Sequence, residues 1–69
     1  MKEEVESNVH DIRMKAGITQ EDLAIKVGVS RQTIIAIEKG NYVPSVLLAM
    51  KIAKFFKKPV EETFYIKKS

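Results

Sequence analysis

One short segment constrains this chain more than any other. Between residues 19 and 38, two helix-length stretches are joined by only Gly28-Val29. So short a connection forces the two helices to cross steeply. A steep crossing needs a small residue where the backbones approach, and Ala24 supplies it. The turn needs a residue that accepts positive φ, and Gly28 supplies that. Apolar side chains must then point inward at set offsets. Leu23 and Val27 precede the turn, Val29 lies in it, and Ile34 and Ile37 follow it. Thr19 can cap the first helix, with Asp22 three residues on in a variant of the capping box. Ser30 caps the second, which runs to about Lys39 before Gly40-Asn41 turns the chain. The conjunction predicts a helix-turn-helix over residues 19–39.

The rest of the chain reads as further helices. Val5, Val9, Ile12 and Ala16 recur on one helical face and predict a first helix over residues 4–16, ended by Gly17. Pro44 blocks helix continuation and Ser45 caps a fourth helix reaching about Lys57. Its expected buried stripe is Val46, Ala49, Met50, Ile52, Ala53 and Phe56. A short fifth helix, about residues 60–63, follows Pro59. Phe64 and Ile66 then alternate with Tyr65 and Lys67, which suits a short strand or an extended arm over residues 64–69. The expected architecture is all-α, a compact five-helix domain spanning residues 1–69, with a short C-terminal strand as its one variation.

Length and charge narrow the function. A chain of 69 residues accommodates one small domain and no separate catalytic domain. With no cysteine there is no disulfide framework and no cysteine-based zinc cage. The acidic start MKEEVESN lacks the basic, apolar pattern of a signal peptide, and no run approaches the length of a membrane span. The expected compartment is the cytoplasm. Residues 1–22 carry three basic against six acidic side chains, a net of −3; residues 23–69 carry nine against three, a net of +6. The basic part suits an anionic partner, or simply solvates exposed helix faces.

Catalysis has no support. His10 is the sole histidine and falls on the polar side of the first helix, where it reads as a surface residue. Glu61-Glu62 is explained by the helix dipole. No glycine loop, nucleophile elbow or metal-ligand spacing occurs, so no metal, cofactor or small-molecule ligand is expected.

A helix-turn-helix reads the major groove with the first residues of its second helix. Those residues are Ser30, Arg31, Gln32 and Thr33. Arg31 has the geometry to bond guanine O6 and N7, and Gln32 to bond adenine N6 and N7. One turn on, Ile35 and Ala36 lie on the outer side; Ile35 either meets a thymine methyl or is simply tolerated there. The hydroxyls of Ser30 and Thr33 suit either bases or phosphates.

The stretch TQEDLAIKVGVSRQTIIAIEKGNYVPSVLLAMKIAKFF resembles the phage repressor and Cro type of regulator, the XRE family. The likeness covers roughly residues 9–65. It implies a five-helix domain like that of lambda repressor, binding double-stranded operator DNA as a homodimer. It also implies that Gln20 holds a phosphate and braces the recognition helix, and that Lys39, Asn41 and Tyr42 form a second backbone clamp. Some members join the first and third helices by a partly buried ion pair at the positions of Arg13 and Glu38. Similar domains also serve as antitoxins or as bridging cofactors that bind protein instead. Several positions depart from the family pattern. Lys57 stands where glycine usually ends the fourth helix, Lys58 and Pro59 replace an apolar residue and a capping serine, and Thr63 replaces leucine. Phe55, at the edge of the fourth-helix stripe, either fills the space left by Thr63 or joins Phe64, Tyr65 and Ile66 at a dimer contact.

Overall fold

The computed structural model describes residues 2–68. Five helices are closed by a small sheet made from the two ends of the chain. The order is β1 (Glu3–Ser7), α1 (Val9–Ala16), α2 (Gln20–Val27), α3 (Arg31–Glu38), α4 (Val46–Phe55), α5 (Val60–Thr63) and β2 (Phe64–Lys68).

The helix-turn-helix is set by local chemistry. The Thr19 hydroxyl accepts from the Asp22 amide at 3.0 Å, and the Asp22 carboxylate accepts from the Thr19 amide at 3.2 Å. Two orphan donors at the start of α2 are thereby satisfied. Gly28 ends α2 in the left-handed region at φ 77°. Its amide and that of Val29 both donate to the Ala24 carbonyl, at 2.9 and 3.0 Å. The chain is thus turned within two residues, and the Ser30 hydroxyl caps α3 by accepting from the Thr33 amide. Leu23, Ala24, Val27, Ile34 and Ile37 are buried together with Val9, Leu48, Ile52 and Phe64 in one core.

The N-terminal segment departs from the expected long first helix. Residues 4–8 are not helical, and α1 begins at Val9. Asn8 is tied to the far end of the chain: its amide donates to the Thr63 carbonyl at 2.8 Å and its Nδ2 to the Glu62 carbonyl at 3.1 Å. Ser7 Oγ accepts from the Val9 amide. Upstream of this anchor the chain pairs antiparallel with β2, Val5 opposite Ile66 and acidic Glu3 and Glu4 opposite Lys68 and Lys67. Opposite charges at facing positions favour this register. Val5 packs on the core from a strand, so the spacing from Val5 to Val9 that mimics a helical face is met by other means. The all-α expectation is corrected accordingly: the C-terminal strand is present, and its partner is the chain's own start. Ser69, the last residue of the expected arm, lies outside the described residues.

Of the expected α4 stripe, Ile52 and Ala53 are buried and Ala49 and Phe56 are partly buried against the core, but Val46 and Met50 are not. Leu48, Ile52 and Ala53 are inward, whereas Val46 and Met50 are 77% and 56% exposed. The helix is apolar nearly all round, with Leu47 beside Leu48, so periodicity alone cannot choose the side. Its end is made without glycine. Lys57 itself adopts φ 57°, and the Lys58 amide reaches back to the Ala53 carbonyl. Thr63 is fully buried and satisfied, its hydroxyl donating to the Val60 carbonyl at 2.7 Å.

Candidate nucleic-acid interface

α3 is held from behind by a polar cluster. Arg13 of α1 and Glu38 at the end of α3 have side chains only 7% and 5% exposed. Arg13 Nε donates to Glu38 Oε2 at 2.7 Å and Nη2 to Oε1 at 3.1 Å, a bidentate pair. The third guanidinium nitrogen donates to the Ile18 carbonyl at 2.9 Å. Gln20, at the start of α2, donates from Nε2 to Glu38 Oε1 at 3.1 Å. One carboxylate therefore links α1, α2 and α3. Burial alone would push the Glu38 carboxyl up, but the hydrogen bonds from Arg13, Gln20 and His10 outweigh it and hold it below the ordinary carboxylate range. The same bond to Glu38 raises Arg13 above its usual value, against the opposing effect of burial.

His10 is exposed, as its position suggested, but its ring also reaches this cluster. Its Nδ1 lies 3.2 Å from Glu38 Oε1 and 3.2 Å from Arg13 Nη2. The signal was available: His10 and Arg13 are three apart on α1 and so share a face.

The opposite side of α3 is open. Arg31 and Gln32 are exposed at its N-terminal end, while Ile35 and Ala36 are half-buried along its flank. Neither Arg31 nor Gln32 has a side-chain hydrogen bond among the described residues. Arg31 and Thr33 are about 200° apart around the helix, and each borders a separate groove. Arg31 shares one with Gln20, Thr19 and Glu21. Thr33 shares the other with Tyr42, Ser45 and Lys51. α3 is thus a ridge between two depressions. Sequence reasoning gives Ser45 only as the cap of α4, which it is, and gives Lys51 no role; the packing of α4 beside the turn brings both there.

The remaining expected residues fall in different places. Ser30 Oγ serves the α3 cap and lies 3.1 Å from Thr33 Oγ1. Lys39 and Asn41 are exposed just past α3, where the Asn41 amide donates to the Ala36 carbonyl at 2.9 Å. Phe64 is buried in the core at 7% exposure, so it offers no surface to a second chain. Tyr65 and Ile66 stay outward on β2. Phe55 is 36% exposed and packs edge-on against Phe56, ring centroids 5.0 Å apart, so it does not fill space beside Thr63. No helix of the described residues is long and apolar enough to cross a membrane.

α2 and α3 joined through a two-residue turn at left-handed Gly28 and packed in one core, with α3 braced on one side by Arg13 and Gln20 and polar at its N-terminal end, define a helix-turn-helix protein. The helix-turn-helix family pattern matches residues 9–62. An HTH-type transcriptional regulator of Methanocaldococcus jannaschii is 70% identical over 47 residues, 68% of this chain and 71% of that protein. The HTH-type regulator YgzD of Bacillus subtilis is 48% identical over 62 residues, 90% of this chain and 94% of its own. The cryptic phage CTXphi transcriptional repressor RstR of Vibrio cholerae is 36% identical over 56 residues, 81% of this chain and half of its own. Among solved structures, the restriction-modification controller protein C.AhdI of Aeromonas hydrophila superposes with a TM-score of 0.73 at 26% identity, covering 78% of this chain and 82% of that one. The chain belongs to the helix-turn-helix family of transcriptional regulators, the XRE type, whose members bind DNA and are not enzymes.

Proposed function

We propose that this protein is a sequence-specific repressor that reads the major groove of double-stranded DNA with α3, as a homodimer on a palindromic operator. The observation that carries this reading is the ridge between two grooves. Arg31 and Gln32 lead into the major groove with their donors and acceptors free for base edges. The groove with Gln20 takes one sugar–phosphate strand. The groove with Thr33 and Tyr42, extended by Lys39 and Asn41, takes the other. Gln20 can serve two partners, because its amide nitrogen braces Glu38 while its remaining polar atoms face phosphate. Ile35 and Ala36 supply apolar contact deeper along the helix, and the Ser30 hydroxyl acts through its cap.

Dimerisation follows from scale, since one small module buries little DNA surface. Two half-sites about 34–36 Å apart place two copies on one face of the duplex. The surface offered for the contact is the outer side of α4 and α5. Leu47 and Met50, 64% and 56% exposed, share a depression there with Pro59 and Val60. Lys51, Lys54 and Lys58 border it and Glu61 and Glu62 follow Val60 in α5, so a two-fold arrangement that sets α4 of one copy against α5 of the other can pair opposite charges. Tyr65 and Ile66 extend the apolar surface on β2. Deleting residues 64–69 is not a clean test of this contact, because it would also remove Phe64 from the core.

Selection of bound duplexes from a random library tests the function. Enrichment of an inverted repeat with half-sites one helical turn apart is the expected result. No binding to any duplex at low salt rejects the proposal, and a single unpaired site rejects its dimeric part.

A further inference from the structure

A further groove of about 440 Å³ lies between the last turn of α2 and the outer side of α4. Its apolar part is Ile25, 69% exposed, and Phe55. Phe55 packs edge-on against Phe56, which itself packs on the core, and leaves part of its ring in the groove. Lys26, Lys51 and Lys54 line the same groove, and no carboxylate does. Among the described residues the ion pairs all involve Glu38, and none of these lysines has an acidic partner there.

Three kinds of occupant can be compared. A second copy brought on by a two-fold axis would set lysines against lysines, which is unfavourable at close range. DNA phosphates would meet the lysines but leave Ile25 and Phe55 unused. An acidic amphipathic segment satisfies both halves. We propose that this groove docks such a segment of a partner protein, its apolar side chains resting between Ile25 and Phe55 and its carboxylates meeting Lys26, Lys51 and Lys54. A rigid aromatic anchor rimmed by charge is the usual make-up of such a contact. The base-reading residues line none of this groove, so Ile25, Lys26 and Phe55 stay open while DNA is bound. Lys51 also lines the groove with Thr33 and Tyr42, which places the partner beside the DNA backbone.

Fluorescence anisotropy on the full chain tests this with a labelled helical peptide of leucine and glutamate, and a leucine–lysine peptide as control. The acidic peptide should bind at physiological salt and the basic one should not. Ile25→Ser should weaken binding by about tenfold or more, and Lys26→Glu by a similar factor. Ile25 is exposed, so its variant should keep the wild-type melting curve. Operator affinity and oligomeric state of Ile25→Ser should also match wild type. Equal binding of both peptides, or unchanged binding by Ile25→Ser, overturns the proposal. A monomeric Ile25→Ser would assign the groove to self-association, and lost operator affinity would assign it to DNA; either result overturns the proposal too. Operator binding by wild type is measured in the same series, so failure of the DNA reading shows separately.

Discussion

Residues 19–38 and residues 45–68 solve the same problem, a short helix pair with a tight corner, in opposite ways. In the first, every corner residue suits its conformation. Gly28 takes the left-handed turn, Thr19 and Ser30 cap, and the buried carboxylate of Glu38 is met by donors from α1 and α2. In the second, Lys57 takes the left-handed position with a Cβ in the way, and α4 leaves Val46, Leu47 and Met50 in solvent. A region whose polar groups are satisfied internally is stiff, and it can present Arg31 and Gln32 in a set direction. A region with apolar surface left over is one that another protein can cover. In the proposed function this contrast divides a DNA-reading part from a self-association part.

The largest expected effect falls on the stiff region. Glu38→Ala leaves a buried guanidinium unpaired and should lower unfolding free energy by about 3–5 kcal/mol, read by urea denaturation. Arg13→Leu with Glu38→Leu should recover much of that loss. A double variant as weak as the single one would mean that shape, not charge, holds α3. The same pair gives a pH signature. The folded-state pKa of Glu38 lies below its unfolded value, so its stabilisation is full above the ordinary carboxylate range. It is lost as pH falls through the depressed value. The stability gap between wild type and Glu38→Gln should therefore narrow below about pH 4, and a gap that widens on acidification would reverse the assignment. In the second region, Lys57→Gly should gain about 1 kcal/mol by relieving the left-handed residue. Met50→Ser should change monomer stability by less than about 0.5 kcal/mol, while Met50→Glu should shift sedimentation from dimer to monomer. A core-sized loss for Met50→Ser would erase the distinction between the two regions.

The two regions also differ in how far they can be read from the chain alone. The crossing of α2 and α3 follows from Ala24, Gly28 and the flanking caps, all within a few residues of one another. The pairing of Arg13 with Glu38 came from resemblance, and the depth of its burial needed the packed structure. The one-turn spacing of Val5 and Val9 predicts helix where β1 forms, and the strand partner of Val5, Ile66, lies at the other end of the chain. Local spacing carries no record of so distant a pairing. The buried side of α4 was ambiguous for a different reason: with Val46, Leu47, Leu48 and Ala49 in a row, only the neighbouring elements decide which ones are covered. Phe64 was assigned outward as part of an arm, whereas the β1 pairing turns it into the core.

The central claim is that α3 reads bases while its two flanks hold phosphates. Salt titrations of wild type, Arg31→Ala and Lys39→Ala on the selected operator and on a scrambled duplex test it most directly. Arg31→Ala should lose about 1–3 kcal/mol of preference for the operator. Lys39→Ala should weaken both duplexes alike and flatten the slope of log K against log salt by about 0.9. Equal loss of preference and equal change of slope in the two variants would contradict the division of roles on which the account rests.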